Sequence, residues 1–184
     1  ALIDRTSMSP FIREKKDYFT AFLDKNGNLV VSTSLTLAGN LVDAILDDYP
    51  ADTMRDGDLF WYNDPYASRG GVSHLPDMVF VMPVFADGRL IAFAEAWGHL
   101  WDIGGMVPGS ISPHAISTFQ EGIMIPPVRV MREGVLNEEV FRIFTRNSRF
   151  PEMLKGDLKA IMAACGLGKR RMEEVITRFG ADTV

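Results

Sequence analysis

The sequence is poor in the residues that mark several large protein classes. It holds one cysteine and three histidines in 184 residues. A lone thiol, Cys165, cannot close an internal disulfide, so the chain is no disulfide scaffold and suits a reducing compartment. No Lys/Arg block occurs: 19 basic residues face 24 acidic ones, for a formal charge of −5. A nucleic-acid partner calls for a basic stripe to displace phosphate counterions, and none is present. No run reaches the roughly 20 apolar residues that cross a bilayer, so no membrane partner is expected. Asp4, Arg5, Arg13, Glu14, Lys15 and Lys16 interrupt what a signal peptide would need. A soluble, cytoplasmic protein is the expectation. An initiator Met is also missing, since the chain opens Ala1-Leu2-Ile3-Asp4.

What remains is ordinary globular material, 47% hydrophobic and 23% charged. It supports one domain over residues 1–184, burying roughly 70% of the unfolded chain's surface. Tyr18 to Leu23 and Leu29 to Thr33 flank Asp24-Lys25-Asn26-Gly27-Asn28 and predict a hairpin, because Asn-Gly accepts positive φ. A short helix is expected from Asn40 to Asp48, stopped before Pro50. Leu59-Phe60-Trp61-Tyr62 reads as a buried strand. Met78 to Phe85 and Leu90 to Ala96 predict a second hairpin around Ala86-Asp87-Gly88-Arg89. From His99 to Pro127, Gly, Pro and Ser are frequent and no period emerges, which predicts a long, ordered, irregular segment. Loops of that length are often functional.

Asn137 is placed to cap a helix opening with Glu138-Glu139. A longer helix is expected from about Asp157 to Phe179, with Gly166 and Gly168 as candidate break points. Strands first and helices last predict an α+β fold of antiparallel hairpins and an irregular glycine-rich segment, followed by C-terminal helices.

The candidate site rests on two of the three histidines. His74 and Asp77 lie on a turn before the second hairpin, and His99 follows its return strand. A hairpin brings its ends together, so the three side chains can converge. Imidazole and carboxylate donors suit divalent Zn, Mn or Fe. The competing reading is a hydrogen-bonded His-x-x-Asp turn and a histidine packed among Trp97 and Trp101. Gly104-Gly105-Met106-Val107-Pro108-Gly109-Ser110 can present N–H groups to an anion, but it lacks the Lys-Ser/Thr of a P-loop and reads as a structural turn. Ser110, Ser112 and His114 lack the separately oriented base of a triad. His114 reads as solvated, Cys165 as a core residue, and Lys169-Arg170-Arg171 as an exposed helix face.

Longer motifs then come into register. They are Ile12-Arg13-Glu14-Lys15-Lys16-Asp17, Asn63-Asp64-Pro65-Tyr66, Gly70-Gly71-Val72-Ser73-His74-Leu75-Pro76-Asp77 and Pro83-Val84-Phe85 with Asp87-Gly88. His99-Leu100-Trp101-Asp102-Ile103-Gly104-Gly105, Pro108-Gly109-Ser110, Gln120-Glu121-Gly122, Ile125-Pro126-Pro127-Val128, Asn147-Ser148-Arg149 and Gly156-Asp157 follow in order. Together they resemble the hydantoinase B/oxoprolinase family over nearly the whole chain. The resemblance implies the metal-binding subunit of an ATP-dependent enzyme, such as a 5-oxoprolinase, N-methylhydantoinase, lactam hydrolase, or acetone or acetophenone carboxylase. An actin-like, hydantoinase A-type partner would bind ATP and phosphorylate the substrate, making a hetero-oligomer. Family subunits are longer, so this chain is expected to be the metal-carrying N-terminal part of one.

Carried over residue by residue, the family's metal positions fall on Asp17, His74, Asp77 and His99. Asp17 comes from the resemblance alone. Catalytic support is expected from Asp102 and Glu121, and substrate contacts from Asn63, Asp64, Trp97 and Trp101. For Asn63-Asp64-Pro65 a simple Asx turn is an equal reading. The chain departs from the pattern at Leu37, where many members carry His two residues before the glycine matching Gly39. It departs again at Leu100, in a His-His-Ala-Asp pattern, and in a longer loop between Asp64 and His74. These changes make the neighbourhood more apolar; Trp97 and Trp101, flanking His99, either line a pocket for an aromatic or bulky apolar substrate or belong equally to the core. Three readings follow: a cyclic-amide hydrolase subunit, a ketone carboxylase subunit, or a non-catalytic assembly segment.

Overall fold

The computed structural model describes residues 2–33 and 40–183; Leu37 and Gly39 lie outside them. Two short helices, α1 (Leu2–Thr6) and α2 (Pro10–Arg13), precede the hairpin of β1 (Tyr18–Asp24) and β2 (Leu29–Ser32). Then come α3 (Asp43–Asp48), β3 (Leu59–Tyr62) and the long hairpin β4 (Asp77–Ala86) and β5 (Arg89–His99). After the irregular segment stand β6 (Val128–Arg132), β7 (Val135–Leu136), α4 (Glu138–Arg146) and α5 (Pro151–Phe179). The strands form one sheet in the order β2-β1-β5-β4-β3-β6-β7, antiparallel at every step. The fold is α+β. No helix among the described residues is long and apolar enough to cross a membrane.

Both faces of the central strands are covered, which explains their unbroken apolar runs. Helix α5 packs on one face, where Leu158, Ile161 and Cys165 meet Met78, Phe80 and Ala96. Gly98 permits that approach: a Cβ there would sit 3.0 Å from Ile161 Cδ1. On the other face, Val42 and Ile45 cover Phe19, Phe60, Tyr62, Val79, Val81 and Phe93. Leu59, Phe60, Trp61 and Tyr62 are fully buried, each contributing about 2–3 kcal/mol of apolar burial.

The turns follow their local chemistry. Asp87 (φ 49°) and Gly88 (φ 74°) close the long hairpin with two left-handed residues, the twist that suits a two-residue connection. The first hairpin differs from expectation, since only Gly27 is left-handed. There the Asp24 carboxylate holds the loop by accepting the N–H groups of Asn26 and Asn28, both at 2.8 Å.

Other boundaries moved. The helix expected from Asn40 begins at Asp43, with Asn40 Oδ1 accepting the Val42 N–H instead. Helix α5 starts at Pro151 and runs unbroken through Gly166 and Gly168. Gly168 lies against Ala94 and Phe22, so packing offsets its poor helix propensity. Lys169 is not on an exposed face: its side chain is 14% exposed and pairs with Asp56 at 3.0 Å. Asn137 does cap α4, accepting the Val140 N–H.

Candidate metal centre

The sheet register builds the site. Asp77 opens β4 and His99 closes β5, and the two are directly paired partners, so their side chains leave the same face. His74 is brought in by a tight turn, with the Asp77 N–H donating to His74 O at 3.2 Å. The ligand-capable atoms of His74, Asp77 and His99 all lie within 4.8 Å of one another. His74 Nε2 is 3.5 Å from Asp77 Oδ2, and His99 Nδ1 is 3.2 Å from Asp77 Oδ1.

Asp17 stands at the rim. Its Oδ2 is 3.8 Å from His99 Nδ1, and its C=O accepts the His99 N–H at 3.0 Å. A left-handed Lys16 (φ 59°) makes the bend that delivers it from α2 to β1.

These residues suit a cation. Asp77 Oδ1 is buried and makes no hydrogen bond, although His99 Nδ1 is 3.2 Å away. A buried carboxylate oxygen left without a hydrogen bond beside an imidazole nitrogen is open to a shared cation. His74 Nδ1 and His99 Nε2 are also buried without partners. Ring packing therefore orients the imidazoles: His74 and His99 meet edge-on at 5.0 Å, and Phe11 lies 4.4 Å from His99. Two imidazoles with carboxylate oxygens form a donor set for Zn, Mn or Fe. The His99 side chain is 3% exposed against 37% for His74 and 41% for Asp17, so the centre opens on the His74–Asp17 side.

The other candidate residues divide into supports and neighbours. Asn63 is wholly buried; its Nδ2 donates to Leu75 O (2.7 Å) and Ile123 O (3.0 Å), and its Oδ1 accepts the Ile125 N–H. Glu121 accepts the Leu75 N–H at 2.9 Å. Both thus grip the residue next to His74. Asp64 accepts the N–H groups of Tyr66 and Ala67 and starts a turn.

Asp102, three residues beyond His99, accepts from Gly104 N, Gly109 N, Arg149 N and Arg149 Nη1. Burial pushes its pKa up, but these donors outweigh burial and hold it below the usual carboxylate value. Arg149 also donates to Gly104 O, Val107 O and Gly105 O. The glycine-rich loop's polar groups are therefore largely spent on its own clamp. Trp97 turns inward and stacks on Phe19 at 5.8 Å, whereas Trp101 meets Phe11 at 5.3 Å.

Sequence reasoning missed Phe11 and the hub role of Arg149. Arg149 lay within a recognised motif; Phe11 gave no signal beyond being one apolar residue beside Ile12. Ser110 Oγ is occupied with Gly104 O and Ile103 N, and His114 is exposed. Burial pushes the Cys165 thiol up, which suits an inert core residue.

Over residues 1–184 the chain matches the family Hydantoinase B/oxoprolinase. It belongs to that family. The caprolactamase subunit beta of Pseudomonas jessenii is 33% identical over 99% of this chain and 32% of its own length. The acetophenone carboxylase delta subunit of Aromatoleum aromaticum is 33% identical over 91% of this chain and 25% of its own. The crystal structure of the ATP-dependent caprolactamase from P. jessenii superposes with a TM-score of 0.81 at 31% identity, covering 90% of this chain and 29% of that one. This hydantoinase B/oxoprolinase chain thus spans about a third or less of the length of these relatives.

Proposed function

We propose that this chain carries the metal centre of an ATP-dependent hydrolase that opens a cyclic amide, such as a hydantoin, an oxoproline or a lactam. It acts as the metal-binding part of a longer subunit, with an actin-like ATP-binding partner that phosphorylates the substrate oxygen. One observation carries the reading: His74, Asp77 and His99 offer three ligand atoms within 4.8 Å at one sheet end, in a family with ATP-dependent lactam-opening members.

A divalent ion bound there supplies Lewis-acid polarisation of a substrate oxygen. The chain's residues do the rest. His74 and His99 give nitrogen lone pairs, and Asp77 offsets the cation's charge. Asp17, at the open rim, is placed to complete the donor set or to meet an incoming polar group. Glu121 and Asn63 fix the His74 turn through Leu75, and Asp102 with Arg149 fixes the chain after His99, in supporting roles of the kind that tune ligand geometry.

Elemental analysis of the purified chain tests the centre. About one Zn, Mn or Fe per wild-type chain is expected, with loss in His74→Ala and Asp77→Asn. Equal, negligible metal in all three overturns the reading and leaves the assembly segment.

The second reading, an ATP-dependent ketone carboxylase, is favoured by the aromatic pair beside His99 and by the acetophenone carboxylase relative. With the partner subunit present, ring opening without bicarbonate supports the hydrolase. ATP turnover that needs both bicarbonate and an aryl ketone supports the carboxylase.

A further inference from the structure

We propose that Phe11 and Trp101 form an aromatic wall of the metal centre and make it selective for ligands bearing an aryl ring on an oxygen-donor head. The proposal deepens the metal reading and rests on it. The Phe11 ring centroid lies 4.4 Å from that of His99, tilted 35°, and 5.3 Å from that of Trp101, tilted 46°. An apolar surface therefore begins one van der Waals contact from a ligand imidazole. Both rings are half-buried rather than enclosed, unlike Trp61, which is fully buried in the core.

The wall is also built in advance. Phe11 sits on α2, where its C=O accepts the Asp17 N–H at 3.1 Å. The approach to α2 is tied down by Asp157 Oδ1, which accepts the N–H groups of Met8 and Ser9. Trp101 is held between Leu100, whose N–H donates to Pro76 O at 2.8 Å, and the Asp102–Arg149 clamp. A surface fixed before binding loses little conformational entropy when a ring docks on it.

The geometry gives the centre two unlike sides. The part-exposed side chains of Asp17 and His74 stand at the entrance, and aromatic carbon flanks His99. A ligand that satisfies both has a polar chelating head and a flat apolar substituent, since aromatic pairs favour offset or tilted contacts at these spacings. Lys15 Nζ, 4.7 Å from the Phe11 centroid, sets a cation on the same ring and favours a ligand of low positive charge.

The test uses two probes with the same metal-binding head, benzohydroxamate and acetohydroxamate, titrated calorimetrically into the Mn-loaded full chain. Benzohydroxamate is expected to bind about tenfold more tightly. Phe11→Ala and Trp101→Ala should each cut that ratio to about twofold, while Trp101→Phe, which keeps a ring, should retain most of it. Metal content is measured on every sample. Full metal with equal affinity for both probes in the wild type, or an unchanged ratio in the alanine variants, overturns the wall and leaves the centre standing. A wild-type chain that takes up no Mn overturns the metal reading and the wall with it.

Discussion

The most unusual single residue outside the metal centre is Glu95. It lies on β5 between Phe93 and Trp97, pairs in register with Ala21 and Val81, and is 4% exposed. Burial raises its pKa from 4.5 to about 8, and among the described residues no ion pair neutralises it. Tyr62, itself pushed up by burial and then by the charges of Glu95 and Asp43, shares this interior. The folded state therefore holds a proton that the unfolded chain releases near pH 4.5.

Because the folded pKa is the higher one, Glu95's contribution to stability is full below about pH 4.5 and is lost as pH rises towards about 8. Above that window both states are ionised and the slope ends. Urea midpoints measured between pH 5 and 9 should fall through this window in the wild type. Glu95→Gln should remove the slope and gain a few kcal/mol relative to wild type at pH 9. A variant that tracks the wild-type curve would show that Glu95 is already ionised at pH 5.

At the scale of elements, what was legible in the sequence is what depended on local chemistry. Both hairpins, the strand Leu59–Tyr62 and the Asn137 cap announced themselves through turn residues and apolar runs. The convergence of His74, Asp77 and His99 followed from hairpin geometry. Strand β6 was hidden because Val128-Arg129-Val130 follows two prolines, and its pairing with β3 is a long-range contact. The start of α5 was obscured by Gly156, which in the fold sits directly against Met8. Asp17 had no local signature at all: its placement needs the left-handed Lys16 and the β1–β5 register, which only tertiary structure supplies.

Besides the packing of Met8 against Gly156, a buried polar contact ties that N-terminal segment to α5. Asp157 is fully buried and accepts the N–H groups of Met8 at 2.6 Å and Ser9 at 3.1 Å. Asp157→Ala leaves the Ser9 N–H buried without an acceptor, at about 1–3 kcal/mol for one unmade hydrogen bond. Because the same segment carries Phe11 and Asp17, metal affinity should weaken along with stability. Thermal unfolding and a Mn titration on the same variant check the pair of effects; a lower Tm with unchanged Mn affinity would detach this segment from the centre.

Across the whole molecule, the candidate ligands come from stretches far apart in sequence: 17 on the approach to β1, 74 and 77 at the start of β4, and 99 at the end of β5. Only the assembled sheet holds them together, so the unfolded chain has no equivalent site and metal binding is linked to folding. At a free metal concentration a hundred times the dissociation constant, the native state gains about 2.7 kcal/mol. For a chain of this size each kcal/mol moves Tm by roughly 2–4 °C. Saturating Mn or Zn should therefore raise Tm by roughly 5–10 °C over the chelated protein, and His99→Ala should abolish the rise. The Asp157→Ala variant, with its weaker affinity, should show a comparable shift only when metal is raised to the same multiple of its own dissociation constant. Equal Tm with metal and with chelator in the wild type would show that the three side chains are held by packing alone.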